Sequence, residues 1–156
     1  MNRLISTALT AIAFMLVCIT ASAQSTPFDK YADKKDVTYV YISKAMLSLV
    51  GTKMMPSING VNVNELSGKL NSIQIINSGT KAAKESLKTD VMSIVKKGKY
   101  ETLMQISEND SKVNIYHKEG KDSSIIVMMT DNKDDTVVVV FSGTFSTENI
   151  MNMLQH

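Results

Sequence analysis

The sequence predicts an α+β domain built on an antiparallel sheet, and three observations carry that prediction. Tyr100 to Phe141 holds four β-prone runs separated by short polar tips, the pattern of a meander in which neighbouring strands pair antiparallel. Thr80 to Lys97 places Ala83, Leu87, Val91, Ile94 and Val95 along one stripe at helical spacing. Ahead of both, Val37 to Ile42 and the isoleucines Ile73, Ile75 and Ile76 supply one or two further strands. The expected architecture is a four-stranded C-terminal meander plus one or two N-terminal strands, with helices packed mainly on one face.

In chain order, residues 1–23 read as a secretory signal peptide. Asn2 and Arg3 form a short positive start, Leu4 to Ile19 an apolar run, and Ala21-Ser22-Ala23 a small-x-small cleavage pattern that leaves Gln24 as the new terminus. The apolar run is short for a membrane span of ~20 residues. Residues 24–36 are polar and contain Pro27, and read as an N-terminal tether with order beginning near Phe28; 37–156 reads as one α+β domain. Val37 to Ile42 is β-branched and aromatic throughout, which fits a strand contacted on both faces. Ser43 can accept hydrogen bonds from the free amides of a following helix and Gly51 can end it, so Lys44 to Val50 is expected to make about two turns.

Pro56 and Asn59-Gly60 make Thr52 to Val63 a loop. Asn64 is positioned to cap a short helix over Glu65 to Leu70, and Ser72 to Ile76 follows as a strand. On the Thr80–Lys97 helix, Lys81, Lys84 and Lys88 lie opposite the apolar stripe. Lys96 and Lys97 meet the negative end of the helix dipole, and Gly98 is the left-handed residue expected to stop it. In the meander, Val113, Ile115 and His117 alternate with Asn114, Tyr116 and Lys118, which suits one wet face. Ile125 to Met129 and Val137 to Phe141 do not alternate, so both of their faces leave water. Unless the N-terminal elements wrap it, that implies an apolar sheet face open to a partner. Ser146 caps a last helix carrying Ile150, Met153 and Leu154.

Composition narrows the function classes. Cys18 is the only cysteine and lies in the leader, so the exported chain has no thiol and folds by apolar burial without disulfides. About 130 mature residues suffice for one core. Cys18 is preceded by the branched Val17, which a lipoprotein peptidase pocket fits poorly, so lipidation is disfavoured. Arg3 is the sole arginine, leaving lysine as the only strong base of the mature chain. Without guanidinium forks, nucleic-acid recognition is disfavoured.

Each candidate chemistry competes with an ordinary structural role. Imidazoles are limited to His117, near a turn, and His156 at the terminus. Ser78-Gly79-Thr80-Lys81 matches the Ser-x-x-Lys pattern of penicillin-recognising enzymes, but sixteen lysines make one such match expected by chance and no Lys-Thr-Gly follows. Asp131, Asp134 and Asp135 share a hairpin tip without the ligand alternation of a calcium hand. Met46, Met54, Met55, Met92, Met104, Met128, Met129, Met151 and Met153 lack the open Met-x-x-Met spacing of copper(I) sites and read as core. Glu85 and Asp90 interrupt the lysine face, as on a solvated helix. No catalytic, cofactor-binding or metal residue is assigned.

Val40-Tyr41-Ile42-Ser43-Lys44-Ala45-Met46, the Ile73-Gln74-Ile75-Ile76 strand and the helix leading into Tyr100-Glu101-Thr102-Leu103-Met104 together resemble an exported Bacteroidota family, domain of unknown function 4252, over the whole mature chain. Members are often lipoproteins and some lie beside genes for extracytoplasmic sigma factors, so the resemblance implies an envelope-sensing context and no activity. The expectation is a non-enzymatic, periplasmic or secreted binding module that holds a protein partner, or self-associates, through its apolar sheet face. The alternative is a periplasmic carrier of a small apolar ligand or lipid.

Overall fold

The computed structural model describes residues 25–50, 62–66 and 68–155. Among these, six strands make one sheet: β1 (Val37–Ser43), β2 (Leu70–Ser78), β3 (Glu101–Glu108), β4 (Ser111–Glu119), β5 (Ser124–Asp131) and β6 (Thr136–Gly143). Every neighbouring pair is antiparallel, and the spatial order is β1-β2-β6-β5-β4-β3. Three helices accompany it: α1 (Lys44–Val50), α2 (Lys81–Lys97) and α3 (Thr147–Leu154). The fold is therefore α+β. Because β2 lies next to one edge and β3 forms the other, α2 must carry the chain across the whole sheet between them. None of these helices is long and apolar enough to cross a membrane.

The pleat of the central strands sorts the core into two halves. Ile126, Met128, Val139 and Phe141 point to one face, where they pack with Leu47 of α1, Val63 and Leu66 of a 3-10 turn, and Ile150 and Met153 of α3. Val127, Met129, Val138 and Val140 point to the other, against Leu87, Val91 and Val95 of α2 together with Phe28 and Tyr31. Each such fully buried aliphatic or aromatic side chain contributes about 1.5–3 kcal/mol. The expectation of helices mainly on one face is thus corrected: helices cover both faces. The continuous apolar runs of β5 and β6 are dry because they are the middle layer of three, and the open apolar face expected over Ser124 to Phe141 is closed.

Local departures from the sequence reading have equally local causes. The supposed tether is anchored, since Asp29–Asp33 forms a 3-10 turn that buries Phe28 and Tyr31. The short helix expected over Glu65 to Leu70 is a 3-10 turn over Val63–Leu66, where Asn62 Oδ1 accepts from the Asn64 amide at 3.2 Å; Leu70 already belongs to β2. The wet face expected on β4 is buried at Asn114 and Tyr116, because α2 lies over it and the Tyr116 hydroxyl meets the Met92 sulfur at 3.4 Å. Thr80 caps α2, its Oγ1 accepting from Ala83 N at 3.1 Å.

At the other end of α2, Gly98 stays right-handed at φ −77° and Lys99 takes the left-handed turn at φ 55°. Gly98 is needed for space: a Cβ there would sit 2.5 Å from the Tyr100 ring and 2.8 Å from the Ile94 carbonyl oxygen. Ser43 and Ser146 cap α1 and α3, and Asn149 Oδ1 reciprocates by accepting from Ser146 N at 3.0 Å. The expected leader with Cys18, Gly51, the Met54-Met55 pair, the turn expected at Asn59-Gly60, and His156 lie outside the described residues.

Candidate functional site

The polar groups singled out in the sequence are engaged in holding elements together. Ser78 ends β2 and Lys81 begins α2, so the two do not share the helical turn that a Ser-x-x-Lys pair requires. The Ser78 Oγ instead accepts from the Thr136 amide at 2.9 Å, and Lys81 is exposed. Asp131 is buried at the end of β5. Its Oδ1 accepts from the Thr136 hydroxyl at 2.8 Å, while Lys88 Nζ lies 2.6 Å from Oδ2 and Lys84 Nζ 3.5 Å from Oδ1. Burial pushes the Asp131 carboxyl upward, but the hydrogen bonds from Lys88 and Thr136 and the nearby positive charges outweigh it, so its pKa falls below the usual Asp value.

Lys84 also donates to the Asn132 carbonyl, and Asn132 Oδ1 accepts from the Asp134 and Asp135 amides at 2.9 Å each. The lysine face of α2 is therefore bolted to the β5–β6 hairpin, and the acidic partner it invites is Asp131 of the same chain. No cluster of three ligand residues able to hold a metal occurs among the described residues. Met128 and Met129 point to opposite faces of the sheet, so that pair cannot share one ion.

A second polar cluster pins the N-terminal turn beneath β1 and β2. Gln74, fully buried on β2, donates from Nε2 to Asp29 Oδ1 at 2.5 Å and to the Tyr39 hydroxyl at 2.8 Å, and its Oε1 accepts from Thr26 at 2.6 Å. Beside it the Tyr31 hydroxyl donates to Asp90, which Lys30 also meets at 2.6 Å. Burial, then the bond to Asp90 and its charge, push the Tyr31 pKa well above its usual value.

His117 sits on β4 in the wall of a cleft of about 460 Å³, together with Lys99, Glu101, Leu103, Thr147 and Ile150. The residue is 8% exposed, and its Nε2 is buried without a hydrogen-bond partner.

What remains outward-facing is an edge. β1 is contacted on both faces, Ile42 packing with one core half and Val37 and Tyr39 with the other, and it lies at the border of the sheet with no described strand beyond it. Its seven residues Val-Thr-Tyr-Val-Tyr-Ile-Ser hold no charge and no proline, and its pairing with β2 runs unbroken from Val37↔Ser78 to Ser43↔Ser72. Val40 is 42% and Tyr41 50% exposed. Just beyond them α1 presents Met46 and, at 83% exposure, Leu49. A free strand edge offers a row of unpaired amides and carbonyls, and exposed apolar side chains beside it add area for a partner to cover. Sequence reasoning found the strand and missed its position, although an uncharged seven-residue run between Asp36 and Lys44 was the available signal.

The family profile described as Domain of unknown function (DUF4252) matches residues 31–153. No curated protein and no solved structure matches the chain.

Proposed function

The chain belongs to the DUF4252 family, and from that premise we propose that it is a non-enzymatic binding module of the bacterial cell envelope that engages extended polypeptide at the β1 edge. The observation that carries this reading is the contrast between polar side chains consumed by internal bonds and an uncharged, unbulged edge strand flanked by Tyr41, Met46 and Leu49. Strand addition draws its affinity from main-chain hydrogen bonds and its selectivity from alternate side chains, and so needs no reactive group. Export is supported by the leader pattern of residues 1–23, and the family resemblance supports an envelope-sensing context.

A photo-crosslinking residue placed at Tyr41, compared with one at Gln105 on the opposite edge, tests the reading in cells. The expected result is crosslinked polypeptide at position 41 and little at 105. Equal or greater yield at 105 refutes the β1 edge as the binding surface.

A second reading, a carrier of a small apolar ligand, is favoured by the cleft beside His117, where Leu103 and Ile150 supply apolar wall. Lys99 and Glu101 in the same wall make it the weaker fit. Native mass spectrometry of gently purified protein separates the two, since a carrier arrives with adduct mass.

A further inference from the structure

We propose that β1 pairs with β1 of a second copy, antiparallel about a two-fold axis through Val40, so that two six-stranded sheets join into one of twelve strands. This rests on the reading of the β1 edge as the binding surface and names its occupant.

The β1 edge lacks the usual guards. Proteins guard free edges with charge, proline, bulges or short strands, and β1 has none of the first three along its seven residues. Its ends then specify the partner. In an antiparallel pair about Val40, Val40 meets its own copy, Tyr39 meets the partner's Tyr41, Thr38 the partner's Ile42 and Val37 the partner's Ser43. Just past the ends of the ladder, Asp36 before β1 comes beside the partner's Lys44 at the start of α1, and the two-fold repeats that contact. Both residues are exposed.

Opposite charges directly across a ladder favour a register, and like charges oppose it. Asp36 and Lys44 flank β1 at its two ends, and they come side by side at both ends of the ladder when the axis passes through Val40; an axis at Tyr39 or Tyr41 draws them two residues apart. Only the Val40 register uses the charges and also makes two Tyr39–Tyr41 cross-strand aromatic pairs.

Side-chain direction agrees. Val40 lies across from Ile75, on the face lined by Ile42 and Ile73, so a neighbouring β1 would cover the exposed Val40 with a second Val40 and extend the same apolar layer. The helix α1 leaves from the Ser43 end of each strand. The two-fold therefore places the two α1 helices at opposite ends of the new ladder, where they do not collide.

Sedimentation of the purified protein over a range of concentrations tests this, with a charge swap to fix the register. Lys44→Glu sets two like-charge contacts in place of two attractive ones and is expected to weaken the dimer about tenfold. The double variant Asp36→Lys, Lys44→Glu restores the attraction and is expected to regain most of the affinity. Melting curves of each variant verify that the fold is intact, since both residues are exposed. A dimer lost in the single variant and regained in the double supports the proposal, whereas a dimer indifferent to Lys44→Glu overturns it. A monomer at every concentration that still crosslinks another polypeptide at position 41 overturns this inference and leaves the proposed function standing. A monomer that crosslinks nothing there overturns both.

Discussion

The two edges of this sheet differ in kind. β3 begins and ends with glutamate, at Glu101 and Glu108, and its ladder with β4 slips between Thr102 and Met104. Charge along the edge and a bulge that twists it are two of the standard defences against another strand. β1 has neither, although Asp36 and Lys44 stand just outside it. The support behind each edge differs as well. β1 is backed by the Gln74 cluster, which ties Tyr39 to Thr26 and Asp29, whereas β3 is exposed along its length except at the half-buried Met104. A sheet of this size has two edges to manage, and here one is guarded by its sequence while the other is backed by a polar cluster and, among the described residues, left open. That asymmetry is what a surface for strand addition requires.

The largest expected effect removes the common support of both edges. Phe141 is fully buried on β6 at the centre of the sheet, and Phe141→Ala should destabilise by about 3–5 kcal/mol. Amide exchange should then quicken on β1 and β3 alike. Faster exchange confined to one edge would show that the sheet is not one cooperative unit.

Gln74→Leu should act on one side only. It deletes three hydrogen bonds and leaves Asp29, Tyr39 and Thr26 to find water, at a cost of about 2 kcal/mol. Exchange should quicken at β1 and the N-terminal turn while β3 stays as it was. Unchanged protection at β1 would remove the claim that this cluster stiffens the open edge.

Asp131→Asn tests the bond between α2 and the β5–β6 hairpin, away from both edges. Losing its charge should destabilise by about 1–2 kcal/mol at pH 7, the low end for a buried pair because Lys88 reaches solvent. The folded-state pKa of Asp131 is depressed, so the carboxylate's contribution is present above the unfolded value of about 3.9 and is lost as pH falls through the folded value. Urea midpoints of wild type and variant should therefore converge below about pH 4. A gap that stays constant with pH would assign the loss to packing rather than charge.

The smallest expected effect is at the guarded edge. Ile106 on β3 is 41% exposed, and Ile106→Lys should change stability by less than about 0.5 kcal/mol and leave association untouched. The matched change Val40→Lys on β1 should leave the melt nearly as it was yet abolish self-association, because it places two ammonium groups face to face on the two-fold axis. Equal behaviour of the two variants in sedimentation would erase the distinction between the edges.

Periodicity made much of the fold legible. The apolar stripe of α2, the serine caps of α1 and α3 and the β-prone runs between Tyr100 and Phe141 are local patterns, and local patterns report directly on the backbone that carries them. Side-chain partnerships were not legible in the same way. Lys88 and Asp131 lie 43 residues apart, and Gln74 and Thr26 lie 48 apart, so nothing in the intervening sequence announces that they meet. For the same reason Asp131, Asp134 and Asp135 read as a solvated turn and the lysine stripe as a solvated face, when Asp131 meets Lys84 and Lys88 between the two.

By itself the sequence determined that the chain is α+β, that the central strands lose water on both sides, and that Cys18 is its single cysteine. Each of these follows from residue type and spacing alone. Which elements cover which face, and which strand becomes an edge, only the tertiary structure decided. The physical reason is that a strand's own side chains record how dry its surroundings are and not what lies beyond its backbone. Val37 to Ser43 reads the same beside one neighbour as beside two, and it is the course of α2 across the sheet, carrying β3 to the far side, that leaves β1 at the border with no described strand on its outer flank.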